Sequence, residues 1–518
     1  MIRAPVTGTQ RAQKARVKSV PAPTGGWNAR DSIANMPPSD AVILTNWFPT
    51  ASDTELRNGF TNLATGLGNQ VQSLMGYNPA SGTPKLFAAA GGSVYDVTSG
   101  GAVGSPAITS LSNAKWKHTN FATSAGPFLL MVNGQDGYYV YNGSTWQSVT
   151  SGSSPISITG IDPTTLSDVS IFASRVWFIQ KSSLKAWYLP VGQVGGAATS
   201  FDFSPIFFRG GSLVAMGVWT VDGGYGMQDY FCLVTSEGEI AVYQGTDPSS
   251  SSTWSKVGVY RVGTPMGNRC FMKFGGDLLY LSKDGAGPIS KLLASSRVNT
   301  QVNITDKIQT AISQATTLYS TNFGWQMQLF PSENILIINV PVSLGGQQQY
   351  VMNTITGAWC NFTGWSANCW ELFQDKLYFG GNGVVCQAWN GLDDNGVQIV
   401  GEMLPAFQYF DSPQLKQFTM VRPIFLTNGF PSVLLGINTD FESAVPIGVP
   451  TFSPQQAAVW DQGLWDVAIW GQDPQIVKNW EYVSGIGYTG ALHLKVAAQD
   501  ISVRLASIDY AMIDGGVM

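Results

Sequence analysis

The sequence predicts an all-β protein: a β-propeller with an additional C-terminal antiparallel β-sandwich domain and minor helical insertions. Three observations predict it. Between residues 70 and 395, a short run rich in β-branched and aromatic residues, a Gly/Asn/Asp turn and a second such run recur. The recurrence returns about every 40 to 50 residues, which is the size of a four-stranded propeller blade. After Asp393-Asp394-Asn395-Gly396 the texture changes to longer strands such as SVRLASIDYAMI, as expected of a separate sandwich.

From Met1 to about Thr24 there is no apolar periodicity, and PAPTGG closes the segment. Residues 1–24 are therefore expected to be a flexible basic arm, with a linker or docking segment over residues 25–69. An extended arm of this length reaches roughly 70 Å, enough to touch a neighbouring subunit. The propeller is expected over residues 70–395, carried by segments such as LFAAAGGSVYDV, YFCLVTSEGEIAVYQG and CFMKFGGDLLYLSKDG. Six to eight blades is the economical reading; a sandwich array or a β-helix competes, because hairpins alone do not fix ring closure. Gly66-Leu67-Gly68 reads as a turn. In TQVNITDKIQTAISQATTLY, Ile304, Ile308 and Ile312 recur at helical spacing, with Thr305 or Asn303 as the N-cap. That helix either caps the propeller's own core or packs on a neighbour. The sandwich is expected over residues 396–518. There Trp460, Trp465, Trp470 and Trp480 are either core plugs or interface anchors, with core plugs favoured.

Charged residues are 12% of the chain, about half the usual share, while Trp, Phe and Tyr number 17, 26 and 18. Permanent contact with other subunits is the simplest way to cover that much uncharged, aromatic surface; a polar uncharged exterior is the alternative. Residues 1 to 30 carry six basic and no acidic side chains, so a chain of net charge −5 has −11 on the rest. An acidic body argues against a tight grip on nucleic acid, since phosphate contacts come from basic faces.

Chemistry is thinly supplied. No apolar run approaches the roughly 20 residues of a membrane-spanning helix. The N-terminus has no apolar core of the kind a secretory signal needs, which places synthesis and assembly in the cytoplasm. Cys232, Cys270, Cys360, Cys369 and Cys386 are odd in number, widely spaced and without a CxxC pair, and the histidines are His118 and His493 alone. Neither a disulfide framework nor a zinc site is expected. No phosphate loop, zincin or hydrolase-elbow motif occurs. Asp393-Asp394 reads as turn geometry, Asn142–Trp146 as a partial Asp-box turn, and Trp254 closes a similar string. No catalytic, cofactor-binding or metal-binding residue is expected, and no enzyme activity.

Several strings resemble tail proteins of the nozzle, or packaged-DNA-stabilising, type in short-tailed phages. They are Gly25 to Phe60 (GGWNARDSIANMPPSDAVILTNWFPTASDTELRNGF, with a Met-Pro-Pro linker, an Ala-rich helix start and Asn46-Trp47-Phe48-Pro49), Trp325 to Pro341, Tyr350 to Trp365, and Tyr378 to Gly396. The resemblance implies a virion structural protein of the tail: a homohexameric propeller ring below the portal and adaptor, meeting tail fibres or needle. Genomic double-stranded DNA would be retained and then pass through the channel without tight binding. A receptor- or glycan-binding tail protein, with polysaccharide hydrolysis as a further possibility, is the alternative, and a cytoplasmic propeller scaffold the third.

Overall fold

The computed structural model describes residues 15–222, 227–294, 300–343, 346–452 and 474–515. The chain divides into two compact units, one of residues Asn58–Asn395 and the other joining Met1–Arg57 to Gly396–Met518.

The first unit is a β-propeller. Among the described residues, seven antiparallel blades of three or four strands follow one another, each led by an inner strand. The inner strands are residues 71–77, Lys117–Thr123, Leu166–Phe172, Leu213–Asp222, Phe271–Phe274, Gln326–Phe330 and Cys369–Phe373. Each lies against the next, and the last lies against the first, so the blades close into a ring. Closure is covalently economical: strand Phe60–Tyr77 spans two blades. Its residues 60–70 pair with Asn382–Ala388 as the outer strand of blade seven, and residues 71–77 begin blade one beside Lys85–Ala90. Gly66 and Gly68, at φ +86° and +75°, supply the positive φ where the strand crosses between blades. They form a bulge inside a strand, not the expected turn, because the register with Asn382–Ala388 slips there.

The blades' second strands contain unbroken apolar runs, as in Phe128–Val132, Val176–Ile179 and Ile335–Ile338, where a half-buried strand would alternate. Packing between blades is the reason, since each sheet has a neighbour on both faces. In Phe128–Val132, Leu129 and Met131 pack with Phe87 of blade one, while Phe128, Leu130 and Val132 pack with Val176 and Phe178 of blade three. In Arg175–Gln180 the same period of two sends Trp177 and Ile179 to Phe231 and Leu233 of blade four. Trp254 stacks there on Trp177 at 5.6 Å and on Tyr243 at 5.4 Å. Each fully buried side chain of this size contributes about 1.5–3 kcal/mol.

The helix forms at Gln309–Tyr319, with Ile308, Ile312 and Ala315 buried, and it packs on strands Gly285–Pro288 and Ile335–Ser343 of its own propeller. Neither proposed cap acts as one. The Thr305 hydroxyl accepts the Ala286 N–H at 3.1 Å and the Asn303 amide donates to the Asp284 carbonyl at 2.9 Å.

The second unit is built of antiparallel sheets, as expected of a sandwich. Strands Lys416–Thr427 and Val503–Asp514 form the spine of one sheet. The other contains Asp40–Thr45, Ile399–Pro405, Gly490–Ala498 and Ser432–Thr439 in that order. Buried between strands are Trp47, Met403, Phe418, Leu494, Ile508 and Tyr510. Lys416 is buried too, and its ammonium donates to the carbonyls of Ser412, Gln414 and Tyr488 at 2.7–2.8 Å.

The structure draws the N-terminal boundaries elsewhere than at residues 24 and 69. Within the expected arm, Arg16–Pro21 is a strand paired through six positions with Val503–Asp514. Its charges are local: Arg16 meets Asp514 at 2.9 Å and Lys18 meets Asp411 at 3.0 Å. Residues 1–14 lie outside the described residues. The segment expected as a linker continues into this unit up to Arg57, and the expected helix start is a single turn, Ile33–Asn35, followed by strand Asp40–Thr45. Deleting residues 1–21 removes the buried Val20 and a whole edge strand. It is expected to cost this unit about 3 kcal/mol or more in a urea titration.

Candidate functional site

Propeller axes gather the inner strands of all blades, so the axis is the first place to look for convergent polar groups. Here a cavity of about 190 Å³ is lined by Lys117, His118, Arg269, Gln326 and Glu371 together with Leu74 and Trp370. Arg269 organises it. Its guanidinium donates to Gln326 Oε1 at 3.2 Å and, through the other terminal nitrogen, to Gln72 O at 2.9 Å, Ser73 Oγ at 2.8 Å and Trp116 O at 3.2 Å. It also sits 5.2 Å from the centre of the Phe323 ring, whose other cation is Lys115 at 4.9 Å. One side chain thereby ties together blades one, five and six and the approach to blade two. Arg269→Ala removes four charge-assisted hydrogen bonds, although Gln326 Oε1, Ser73 Oγ and Trp116 O keep the Trp370 N–H, the Trp116 N–H and the Ser73 hydroxyl as donors, and a loss of about 3 kcal/mol in denaturant stability is expected.

The remaining charges are also satisfied within the propeller. Asp168 is buried, accepts the Met216 and Val169 N–H groups at 2.8 and 3.0 Å, and has Lys117 at 3.8 Å. Burial pushes its carboxyl above the usual carboxylate range, outweighing Lys117 and the two N–H groups. The folded chain therefore holds this proton more tightly than the unfolded one. The resulting stability is fully present below the ordinary aspartate range and is lost as pH rises through the raised value. Asp168→Asn is expected to flatten that fall in urea titrations run across acidic to neutral pH. His118 Nε2 stands 3.4 Å from Glu371 Oε1.

Thiol chemistry has no purchase at the axis. Cys270 and Cys369 are buried, and burial raises each to about 12, so neither supplies a thiolate near neutrality. Among the described residues no group of three or more His, Cys, Asp or Glu could hold a metal ion. No helix among them is long and apolar enough to cross a membrane.

The motifs singled out in the sequence have structural work. Asn142 Oδ1 accepts the N–H groups of Ser144 and Thr145, both at 2.9 Å, and turns the chain toward Trp146, which packs on Phe87 at 5.0 Å. Asp393 accepts the Phe60 N–H through its carbonyl at 3.0 Å, and a Cβ at Gly59 would stand 1.5 Å from that oxygen. In the Asn46-Trp47 string, Asn46 adopts φ 59° and its amide donates to Val400 O at 2.8 Å. Arg57, 1% exposed, donates to Asn46 Oδ1 at 3.0 Å.

Two surface features remain. Between blades two and three a recess of about 580 Å³ is lined by Phe128, Asn142, Gln147, Ile156, Gln193 and Val194 among others, with no charged side chain in its wall. On the sandwich unit, large apolar side chains are exposed in rows. In strand Glu481–Gly487 and just after it, Tyr482, Ile486 and Tyr488 share one face and are 85%, 61% and 43% exposed. Ile476 on Gln475–Val477 and Ile447 on the segment after Ser432–Thr439 add to them, at 64% and 98%. Composition pointed to an apolar exterior but not to its address, because outward-facing and core strands draw on the same residues. Trp480 lies 4.6 Å below the Arg422 guanidinium; Trp460, Trp465 and Trp470 lie outside the described residues.

No family model matches the chain, and no curated protein matches it. Solved structures with similar architecture include the β-propeller domain of Cps50 (Swd1) from Myceliophteria thermophila. It is 10% identical with a TM-score of 0.37, and the match covers 62% of this chain and 97% of that one. YCF48 bound to D1 peptide is 9% identical at a TM-score of 0.36, over 64% of this chain and 94% of that one. Likeness at this level says nothing about what this chain binds.

Proposed function

We propose that the chain is a structural subunit of a phage tail, of the nozzle type, that assembles with copies of itself into a ring below the portal and adaptor. The ring retains the DNA genome and later conducts it. The observation that carries this reading is where the apolar surface lies. Among the described residues most exposed large apolar side chains belong to the sandwich unit, the smaller of the two. Exposed apolar rows on ordered strands favour a lasting protein–protein contact.

The axis of a single propeller does not serve as the conduit. Its cavity of about 190 Å³ is crossed by Arg269 and its partners, whereas the major groove of a DNA duplex is by itself about 12 Å wide. A conduit would run along the symmetry axis between copies, and heterologous contacts that close generate such rings. The resemblance of the Gly25–Phe60 and Trp325–Gly396 strings to nozzle proteins supports the same reading, including six-fold symmetry and localisation in the virion tail.

Tyr482→Asp combined with Ile486→Asp places charge on the exposed row without touching the core. Native mass spectrometry is expected to show a ring for the wild-type chain and a shift of at least tenfold toward single chains for the variant. A wild-type chain that stays solitary at high concentration would end the proposal. The uncharged recess between blades two and three favours a second reading, binding of a neutral receptor glycan. That reading gains if a trimer forms and binds or cleaves polysaccharide.

A further inference from the structure

In the sandwich unit one sheet is four strands wide at its middle: Glu481–Gly487, Lys416–Thr427, Val503–Asp514 and Arg16–Pro21, each antiparallel to the next. Among the described residues the two outer strands pair on one side only, so the sheet ends in two open edges. The bonds of Arg16–Pro21 to Val503–Asp514 fall on even-numbered residues, a phase set by the Ala22 N–H, which donates to Ala506 O at 3.1 Å. Val17 and Ser19 therefore turn their N–H and C=O groups away from the sheet, the arrangement that accepts a further strand.

Read straight across the strands, two neighbouring rows end in matched residues. One runs Tyr482, Met420, Ala511, Val17, and its ends are apolar and exposed, Tyr482 at 85% and Val17 at 54%. The next runs Glu481, Val421, Tyr510, Lys18. Its middle is buried in the core, and its ends are a carboxylate and an ammonium that reach solvent. A second copy that extends the sheet in the same register sets its Tyr482 against Val17 and its Glu481 against Lys18. Both are favourable cross-strand pairs. Within its own chain Lys18 meets the exposed Asp411 at 3.0 Å, and an ammonium has three N–H donors to share. The direction fits as well, because Glu481–Gly487 runs opposite to Arg16–Pro21 and the new pair is antiparallel like the others. Pairing of Arg16–Pro21 with its own copy would instead bring Arg16 and Lys18 against like charges.

We propose that copies of the chain join by strand addition, the free edge of Glu481–Gly487 in one copy taking the free edge of Arg16–Pro21 in the next. The contact joins two different surfaces, so each copy offers one edge and fills another, and repetition closes a ring. This rests on the ring reading above and adds the seam by which the ring forms.

The test places cysteine at both edges of one full-length chain, Val17→Cys with Tyr482→Cys. The protein's own five cysteines are buried. Within a chain the two positions lie three strand spacings apart, roughly 14 Å, beyond the reach of a disulfide, so only a bond between copies can form. Under mild oxidation the double variant is expected to give a ladder of linked chains on a non-reducing denaturing gel, which collapses on reduction, while each single variant stays at one chain. Lys18→Glu is expected to shift the ring about threefold toward single chains in native mass spectrometry, and adding Glu481→Lys to restore it. A native ring without the ladder overturns the seam and leaves the ring standing. Single chains at every concentration overturn both. Linked pairs from Tyr482→Cys alone assign that edge to self-pairing and overturn the seam.

Discussion

The pairing of residues 60–70 with Asn382–Ala388 is the contact on which the propeller depends. A ring of sheets has no intrinsic reason to stop, and open ends would present unpaired N–H and C=O groups and an uncovered apolar face. Running one continuous strand from the outer edge of the seventh blade to the inner edge of the first removes both problems. Every blade then has two neighbours, which is why second strands such as Phe128–Val132 are apolar on both faces. The period of two survives, but it sorts side chains between the preceding and the following blade instead of between core and water.

Polar work is divided between the two units in a way that bears on function. At the propeller axis, Arg269 and Gln326 donate to backbone carbonyls of neighbouring blades, and Asp168 accepts backbone N–H groups. Such an arrangement makes a rigid hub. In the sandwich unit Lys416 and His493 are buried, and large apolar groups stand outside.

Much of the fold was legible in the sequence because the strands are short and their turns are punctuated by glycine. The blade-sized repeat, the change of texture near Gly396 and the helix around Ile308 and Ile312 could all be read from local pattern. The N-terminal segment could not. Arg16–Pro21 carries two cations and one proline in six residues and has no apolar face until its partner strand, nearly five hundred residues later, supplies one. Strand pairing at that distance leaves no mark in a local window, and an edge strand needs few apolar residues of its own. The axis was equally hidden: Arg269, Asp168 and Glu371 come from three blades, and nothing in their spacing announces that they share a cavity or its rim. The motifs quoted for family resemblance were visible, and the structure assigns Asn46, Arg57 and Gly59 to holding strands and turns in place.

The order in which the chain leaves the ribosome gives the closing strand a further meaning. Residues 60–70 emerge early, but their partner, Asn382–Ala388, follows after more than three hundred residues. At about 5–20 residues per second, that is an interval of tens of seconds. Through that interval the first blade exists with one edge unmet, and the strand 16–21 waits longer still for Val503–Asp514. Nascent chains on one message carry the same unfilled edges side by side, so exchange of the first seventy residues between neighbours is the characteristic way this protein would misassemble.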